Sequence, residues 1–491
     1  MDRELFEHHL ASARGRGRRL ADGATGVAGT RVCGDVVRFS LALDASGTRV
    51  ARAGWEAEGC GATHAAASAA VELVEGAGLL DAARIGAREV ADALGGLSPG
   101  KLHAAELVAD ALARALGTAA YERAALPPPG AGGAPARTLV AMSGGVDSAV
   151  AALLCARGGE EVVAVTLELW ADEEHDEERS CCSAQAVRLA RGLAHRMGLP
   201  HFTLDLRREF RAGVVEPWLA DHAAGLTPNP CIRCNGHVRL DAMLALADRL
   251  GAATLATGHY ARVRCDGDGG PLLVAAADPG KDQTYMLAAL APRALARLRF
   301  PLGALTKPQV RALAAEAALP VADKADSQDL CFLAGTSRAA FLARHGGLGD
   351  EPGEIVDVDG AVLGRHRGYH RYTVGQRRGL GVAAPEPLYV LATDPRRNRV
   401  VAGTRAQLRT RRVAVRAARL HRDGARVDRV KLRYRARPLP ARLLGDPAPG
   451  THPRLEIELA EPVDGAAPGQ LACLMAGDAI VGWGTITRRG A

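Results

Sequence analysis

The sequence predicts a multidomain chain: an α+β domain, a doubly wound α/β domain, then a small β-rich domain and a C-terminal β-barrel. Three observations predict it. The 491 residues amount to about three domains at roughly 150 residues each. A Pro/Gly run, LPPPGAGGAPAR at 126–137, breaks every helical and strand period and reads as an interdomain linker. Past about residue 345 the texture changes to short alternating runs broken by Gly, Pro and Asp, such as GEIVDVDGAVLG. The expected divisions are 1–120, a linker over 121–137, then 138–340, 341–395 and 396–491.

Before the linker, VVRFSLAL (36–43) and the stretch around Trp55 have strand character, while Ala62 to Val74 and Ala104 to Leu116 have helical spacing. After it, TLVAM (138–142) is a short apolar strand, SGG a turn, and VDSAVAALLCAR a helix closing at Gly158. EVVAVTLEL (161–169) is the next strand, and AQAVRLARGLAHRMG followed by HFTLDL repeats the unit. Strand, helix, strand, helix, strand implies a doubly wound parallel sheet.

The composition, 48% hydrophobic and 24% charged, holds no apolar run of about 18 residues, which excludes a membrane-spanning class. The opening MDRELFEHHLASARGRGRR is charged where a secretory segment would be apolar, so a cytoplasmic protein is expected. Ten cysteines are too sparse for a disulfide scaffold and point to thiols used for metal, sulfur or redox chemistry. Only five basic residues are Lys (101, 281, 307, 324 and 431), against 57 Arg, a preference that GC-rich coding explains. Residues 396–491 carry 20 Lys/Arg against 8 Asp/Glu, which suits a phosphate-backbone partner; residues 1–120 carry 13 against 15.

Ser143, Gly144, Gly145, Val146, Asp147 and Ser148 fall between strand and helix, where turn amides and the helix dipole favour an anion. The glycines admit a phosphate, the two serines donate hydroxyls, and Asp147 is a candidate magnesium ligand. SGGVDS resembles the pyrophosphate loop of enzymes that cleave ATP between the α and β phosphates, and differs from the GxxxxGK[ST] loop.

Cys231 and Cys234 lie in TPNPCIRCNGHVR, read as a loop leading into a helix from about Gly236 whose amino end favours a Cys234 thiolate; Cys331 follows in DSQDLCFL. Structural zinc needs a fourth ligand, and His237 or Cys265 is poorly spaced for it. Three thiolates suit a [4Fe-4S] cluster with one open iron, and a metal-free persulfide relay between Cys234 and Cys331 is the alternative. Cys181 and Cys182, and Cys155, Cys265 and Cys473, read as structural or surface thiols.

With SGGVDS, NPCIRCN, TGHYARV (257–263), KDQTYML (281–287), DSQDLCF (326–332) and YTVGQRRGLG (372–381) in this order, residues 138–491 resemble the tRNA-uridine 2-thiolases. The resemblance implies an adenine nucleotide alpha hydrolase-like domain, a central β-rich domain and a tRNA-binding barrel that together thiolate the wobble uridine, position 34, of the Lys, Glu and Gln tRNAs. By motif it implies that Ala141, Met142, Ser143, Gly144, Gly145, Val146, Asp147, Ser148, Leu167 and Gly258 line an ATP and Mg2+ site. It further implies Cys234 as nucleophile and Cys331 as its persulfide-bearing, disulfide-forming partner. Asn229, Pro230 and Cys231 match the segment touching the target base, and Lys281, Asp282, Gln283, Arg433 and Tyr434 match tRNA contacts. Many members carry Asp at the position of Cys231; the third thiolate here tilts the reading toward a cluster held by Cys231, Cys234 and Cys331.

Residues 1 to about 120 resemble the NifU-type iron-sulfur scaffold domain through VCGDVVRFSL (32–41), EGCGATHAAASAAVELVEG (58–76) and KLHAAELVADAL (101–112). Cys33, Asp35, Cys60 and His103 match its ligands, while Ala104 stands where the family has a third cysteine. Those four suit iron or zinc. A domain that docks a cysteine desulfurase or another sulfur-relay protein is a second reading, and a purely structural appendage a third. For the whole chain, the alternative to an enzyme is a sulfur or cluster carrier whose second half only binds nucleotide or tRNA.

Overall fold

The computed structural model describes residues 2–30, 34–129, 135–171, 184–267, 270–326, 330–333 and 335–488. Cys33, Cys181 and Cys182 lie outside them.

The N-terminal domain begins with α1 (Arg3–Ser12), capped by the Asp2 side chain. Strands β1 (Ala24–Thr30), β2 (Asp35–Leu43) and β3 (Val50–Glu58) form an antiparallel sheet in that order. Inward residues Val37, Phe39 and Leu41 are fully buried and Phe39 pairs across the sheet with Trp55. Helix α2 (Gly61–Val74), two short helices α3 (Leu79–Ala82) and α4 (Ala87–Ala93), and the long α5 (Leu102–Arg123) complete the domain.

The second domain is a parallel five-stranded sheet, as the strand and helix alternation predicts. Strands β4 (Arg137–Ala141), β5 (Glu161–Glu168), β6 (His201–Asp205) and β7 (Thr254–Thr257) are joined by a short strand Leu298–Arg299 outside β7, and β6 is the opposite edge. Helices α6 (Val146–Arg157) and α7 (Ala184–Arg196) and the helix Lys307–Glu316 pack one face around Val140, Ala164, Val150 and Val310.

These two domains share one hydrophobic core that runs from Phe39 and Leu112 to Val163 and Phe202. Helix α5 lies along the β6 edge, so close at Gly117 that a Cβ there would sit 1.8 Å from the Thr203 carbonyl oxygen. Arg114 pairs with Glu168 at the carboxyl end of β5, and Arg191 of α7 pairs with Asp110. The His201 N–H donates to the Ala83 carbonyl, 2.9 Å away, so the N-terminal domain occupies a hydrogen-bonding site on the sheet's edge strand. The linker's first residues are also held: Leu126 N–H donates to Arg249 O and Arg137 donates to Pro127 O. Across the expected boundary between these domains the packing is continuous.

Past residue 345 the chain forms two β units. A mixed four-stranded sheet orders Val362–His366, Gly353–Val356, Arg399–Gly403 and Tyr389–Asp394, so the central unit runs to Gly403 rather than ending at 395. Six strands between Arg409 and Ile486 then close a barrel through the pairing of Arg409–Leu420 with Ala479–Ile486. A hairpin of the second domain, Arg262–Cys265 with Pro271–Val274, extends that sheet by pairing with Ala479–Ile486. Among the described residues no helix is long and apolar enough to cross a membrane.

Candidate functional site

The loop after β4 is built for an anion. Gly144 adopts φ +70°, and a Cβ there would lie 2.8 Å from the Ala186 carbonyl oxygen, so this turn needs glycine. Gly145 caps α6, Ser148 Oγ accepts from the Ser143 N–H at 3.1 Å, and Ser143 Oγ donates to Ser148 Oγ at 3.3 Å. Gly258 closes the floor: a Cβ on it would be 2.8 Å from the Ser148 nitrogen. Behind the loop, Met142 N–H donates to Val165 O, and Thr166 Oγ1 donates to Met142 O at 2.9 Å. Leu167, two residues beyond Val165, is buried.

Asp147 does not stand open for a metal ion. Lys307 Nζ lies 2.7 and 2.8 Å from its two carboxylate oxygens, and the Tyr260 hydroxyl donates to it at 2.9 Å. Lys307 also pairs with Asp326 at 2.8 Å, Lys281 pairs with the other Asp326 oxygen at 2.6 Å, and Lys324 Nζ donates to Gly144 O at 3.0 Å. Burial disfavours the Asp326 charge, but hydrogen bonds from Lys281 and Lys307 win and hold its carboxyl below the usual range. Burial and Asp147 push the Tyr260 hydroxyl up, so it stays a donor. Sequence reasoning missed Lys307, Lys324 and Tyr260. A signal existed: three of the chain's five lysines meet here, and a chain that uses arginine almost everywhere keeps lysine where a compact ammonium is needed.

The CxxC segment is helical, not a loop. Asn229 caps the helix Pro230–Cys234 through its Oδ1, which accepts from Cys231 N–H at 3.1 Å, and the chain continues helically through Asn235–Arg239 into Leu240–Arg249. The helix therefore starts six residues before the expected Gly236. Its amino end acts on Cys231, and Cys234 sits a turn inside. Cys234 is buried and Cys231 half-buried. Cys331 opens a short turn whose next residue, Phe332, is anchored among Trp170, Phe210, Trp218 and Phe341.

The remaining expected contacts divide. Lys281 pairs with Asp326 as above, while Asp282 turns inward to Lys431 of the barrel at 3.0 Å, both side chains nearly buried. Gln283 holds Tyr260 through paired 2.9 Å hydrogen bonds. Arg433 donates to Gly465 O. Tyr434 is half-buried; burial raises its pKa, and its ring lies 6.4 Å from that of Tyr285, next to Met286, which accepts from Asn235 behind the CxxC helix.

In the N-terminal domain, Asp35 at the start of β2, Cys60 at the cap of α2 and His103 in the first turn of α5 offer ligand atoms within 4.8 Å of one another. Among the described residues this is the group of three or more metal-ligating side chains that meets that distance; Cys231, Cys234 and Cys331 do not meet it as a trio. The donors fit zinc or iron: His103 Nδ1 lies 3.1 Å from Gly100 O, which leaves Nε2 for a metal. Burial opposes the Cys60 thiolate, yet hydrogen bonds from Thr63 and Ala62 and the charge of Lys101, whose Nζ is 3.9 Å from Sγ, lower its pKa.

Fold and site together define a doubly wound α/β domain with a glycine-bearing anion loop and a CxxC helix, fused to a scaffold-type α+β domain and followed by two β units. Comparison with known families agrees in every segment. A NifU-like N terminal domain matches residues 3–125, a tRNA methyl transferase HUP domain 136–335, a tRNA methyl transferase PRC-barrel domain 339–404 and an aminomethyltransferase beta-barrel domain 405–486. The "Bifunctional protein NifU/MnmA" of Rubrobacter xylanophilus is 46% identical and covers 98% of both chains. The "tRNA-specific 2-thiouridylase MnmA" of Methylorubrum extorquens is 44% identical over 72% of this chain and 94% of its own; that of Chloroflexus aggregans is 42% identical over 72% and 99%. The chain belongs to the bifunctional NifU/MnmA family.

Proposed function

We propose that the protein is an ATP-dependent tRNA-uridine 2-sulfurtransferase acting on the wobble uridine, with an N-terminal domain that supplies sulfur or an iron-sulfur cluster. The observation that carries this reading is an anion loop, with Lys307 on Asp147 and Lys324 on Gly144, joined through Tyr260 and Gln283 to the 283–286 segment, whose Met286 accepts from Asn229 and Asn235 of the CxxC helix. The activities named for its relatives support it.

In this mechanism the uracil O2 attacks the α phosphorus, the α–β bond breaks, and pyrophosphate leaves toward the loop amides, Ser143, Ser148 and Lys307, which stabilise the developing charge. The terminal sulfur of a Cys331 persulfide attacks C2, and the C2–O bond breaks with AMP leaving. Cys234 thiolate then attacks Cys331 Sγ. This releases 2-thiouridine and leaves a Cys234–Cys331 disulfide for an external thiol to reduce. Asn229, Pro230 and Cys231 face the base, which must leave its stack to enter. Magnesium, when bound, would neutralise phosphate charge; Asp147, the residue expected to hold it, is paired with Lys307. A cysteine desulfurase charges the protein in the cytoplasm, and the substrates are the Lys, Glu and Gln tRNAs.

The third thiol, Cys231, makes a [4Fe-4S] cluster the second reading; Cys231, Cys234 and Cys331, apart here, would have to draw together to hold it, and it supplies a bound sulfide when present. The test is 2-thiouridine formation and tRNA-dependent AMP release by the full chain. Iron and acid-labile sulfide are measured in the parent, Cys231→Ser and Cys60→Ser. No AMP release with tRNA sinks the enzyme reading. Iron lost only in Cys231→Ser assigns a cluster to the catalytic thiols, and a thiolating but iron-free parent assigns the persulfide route.

A further inference from the structure

We propose that Arg114, on the last helix of the N-terminal domain, is a positioning residue for the nucleotide site in the neighbouring domain. The inference rests on the reading above that ATP lies against Leu167. Glu168 ends β5, and its side chain is only 7% exposed. Arg114 grips it with a fork: Nε lies 3.0 and 3.1 Å from the two carboxylate oxygens and Nη2 2.6 Å from one of them. The same guanidinium donates to Val27 O at 2.9 Å, which ties the fork back to β1.

From Glu168 the connection to the phosphate loop is short and continuous. Leu167 precedes it. Thr166 comes next, with its Oγ1 2.8 Å from His201 Nε2 and donating to Met142 O. Val165 O accepts from Met142 N–H at 2.8 Å, and Met142 adjoins Ser143. A carboxylate this buried holds its position only while its counter-charge does. Arg207, a second cation whose charge reaches Glu168, is committed to Asp205, so without Arg114 the carboxylate must turn toward water or take a proton, and either change moves the end of β5. Helix α5 is itself fixed by Gly117 against Thr203 and by the buried Asp110–Arg191 pair, so the fork is aimed by a rigid body. The N-terminal domain is thereby part of the thiolating unit's nucleotide pocket as well as a donor attached to it.

The test uses the full chain and calorimetric titration with α,β-methylene ATP, which binds without reacting, together with steady-state kinetics. Arg114→Met is expected to weaken analogue binding and raise the KM for ATP by roughly 5- to 50-fold, with kcat at saturating ATP within about twofold of the parent. Removing both charges, Arg114→Met with Glu168→Met, is expected to recover most of that loss, because a neutral apolar pair leaves no orphan charge. Glu168→Gln keeps the shape and carries the same prediction should Arg114→Met not fold. Unchanged analogue binding in a folded single variant overturns the proposal. So does a double variant whose losses simply add, or a fall in kcat with KM for ATP unmoved. Absence of tRNA-dependent AMP release in the parent refutes the thiolase reading instead, and leaves the analogue titrations to decide the role of Arg114.

Discussion

Replacing Gly117 by alanine sets two physical effects against each other with opposite signs. Alanine in a helix interior is worth about 0.5–1 kcal/mol over glycine, so propensity alone predicts a more stable protein. Packing predicts the reverse. The new Cβ would lie 1.8 Å from Thr203 O and 2.7 Å from its carbonyl carbon, against ordinary contacts of about 3.4 Å, so α5 must withdraw from β6 by about 1.5 Å. Both atoms are backbone of a sheet and cannot rotate away. Overpacking of this kind costs about 1–3 kcal/mol, and stretching the Arg114–Glu168 and Arg191–Asp110 pairs adds to it. The net is about 2 kcal/mol of destabilisation, or about 4–8 °C in the transition that contains these domains. Scanning calorimetry reads it, and Gly192→Ala in α7 is the control: exposed, with open space where its Cβ would go, it is expected to raise the midpoint. If Gly117→Ala matches Gly192→Ala in sign, the docking described above is wrong.

Lys307→Met is expected to lower tRNA-dependent AMP release at least about 100-fold, and Lys307→Arg to restore little of it, because the slot between Asp147 and Asp326 fits an ammonium; recovery to parental rates by Met would refute the role given to this lysine. His222 is buried and its pKa is pushed down to about 3, and burial drives His201 well below its usual value too. Both stay neutral when folded and take a proton when unfolded, so stability is full above about pH 6.5. Each then removes up to about 1.4 kcal/mol per pH unit as pH falls from there toward 3, and denaturant midpoints measured across that window check it. Arg411, Arg416 and Arg419 line the exposed face of the barrel strand Arg409–Leu420; replacing any one by Ser is expected to weaken tRNA binding and flatten the log K against log salt slope by about 0.7–0.9, read by filter binding.

Much of the architecture was legible because its apolar runs are strong: those at 161–169 and 138–142 became buried parallel strands, and 36–43 an antiparallel one. Strand β1 was not, and the reason is physical. Its sequence ATGVAGT lacks large apolar residues because α5 lies directly on it, leaving 2.1 Å between a Cβ on Gly26 and Ala111 O. The start of the CxxC helix was not legible because Pro228 and Pro230 read as holding a loop, whereas Asn229 as cap and Pro230 in the first turn is how this helix begins. The loop SGGVDS announced itself by composition, but the partners of Asp147 come from 113 and 160 residues away, a juxtaposition no local pattern encodes. The joining of the first two domains was hidden in the same way, since Arg114 and Glu168 carry no local mark of each other.

The scarcity of lysine gives this protein an experimental handle. Lys101 stands exposed beside Cys60, Lys281 and Lys307 surround Asp326, Lys324 reaches the Gly144 carbonyl, and Lys431 is sealed against Asp282. An amine-selective acylating reagent, nearly mute on a surface so rich in arginine, would write its signal almost entirely at these five places. A single peptide map taken with and without nucleotide would then footprint the scaffold ligands and the phosphate loop side by side, with Lys431 reporting whether the barrel has come away from its neighbour.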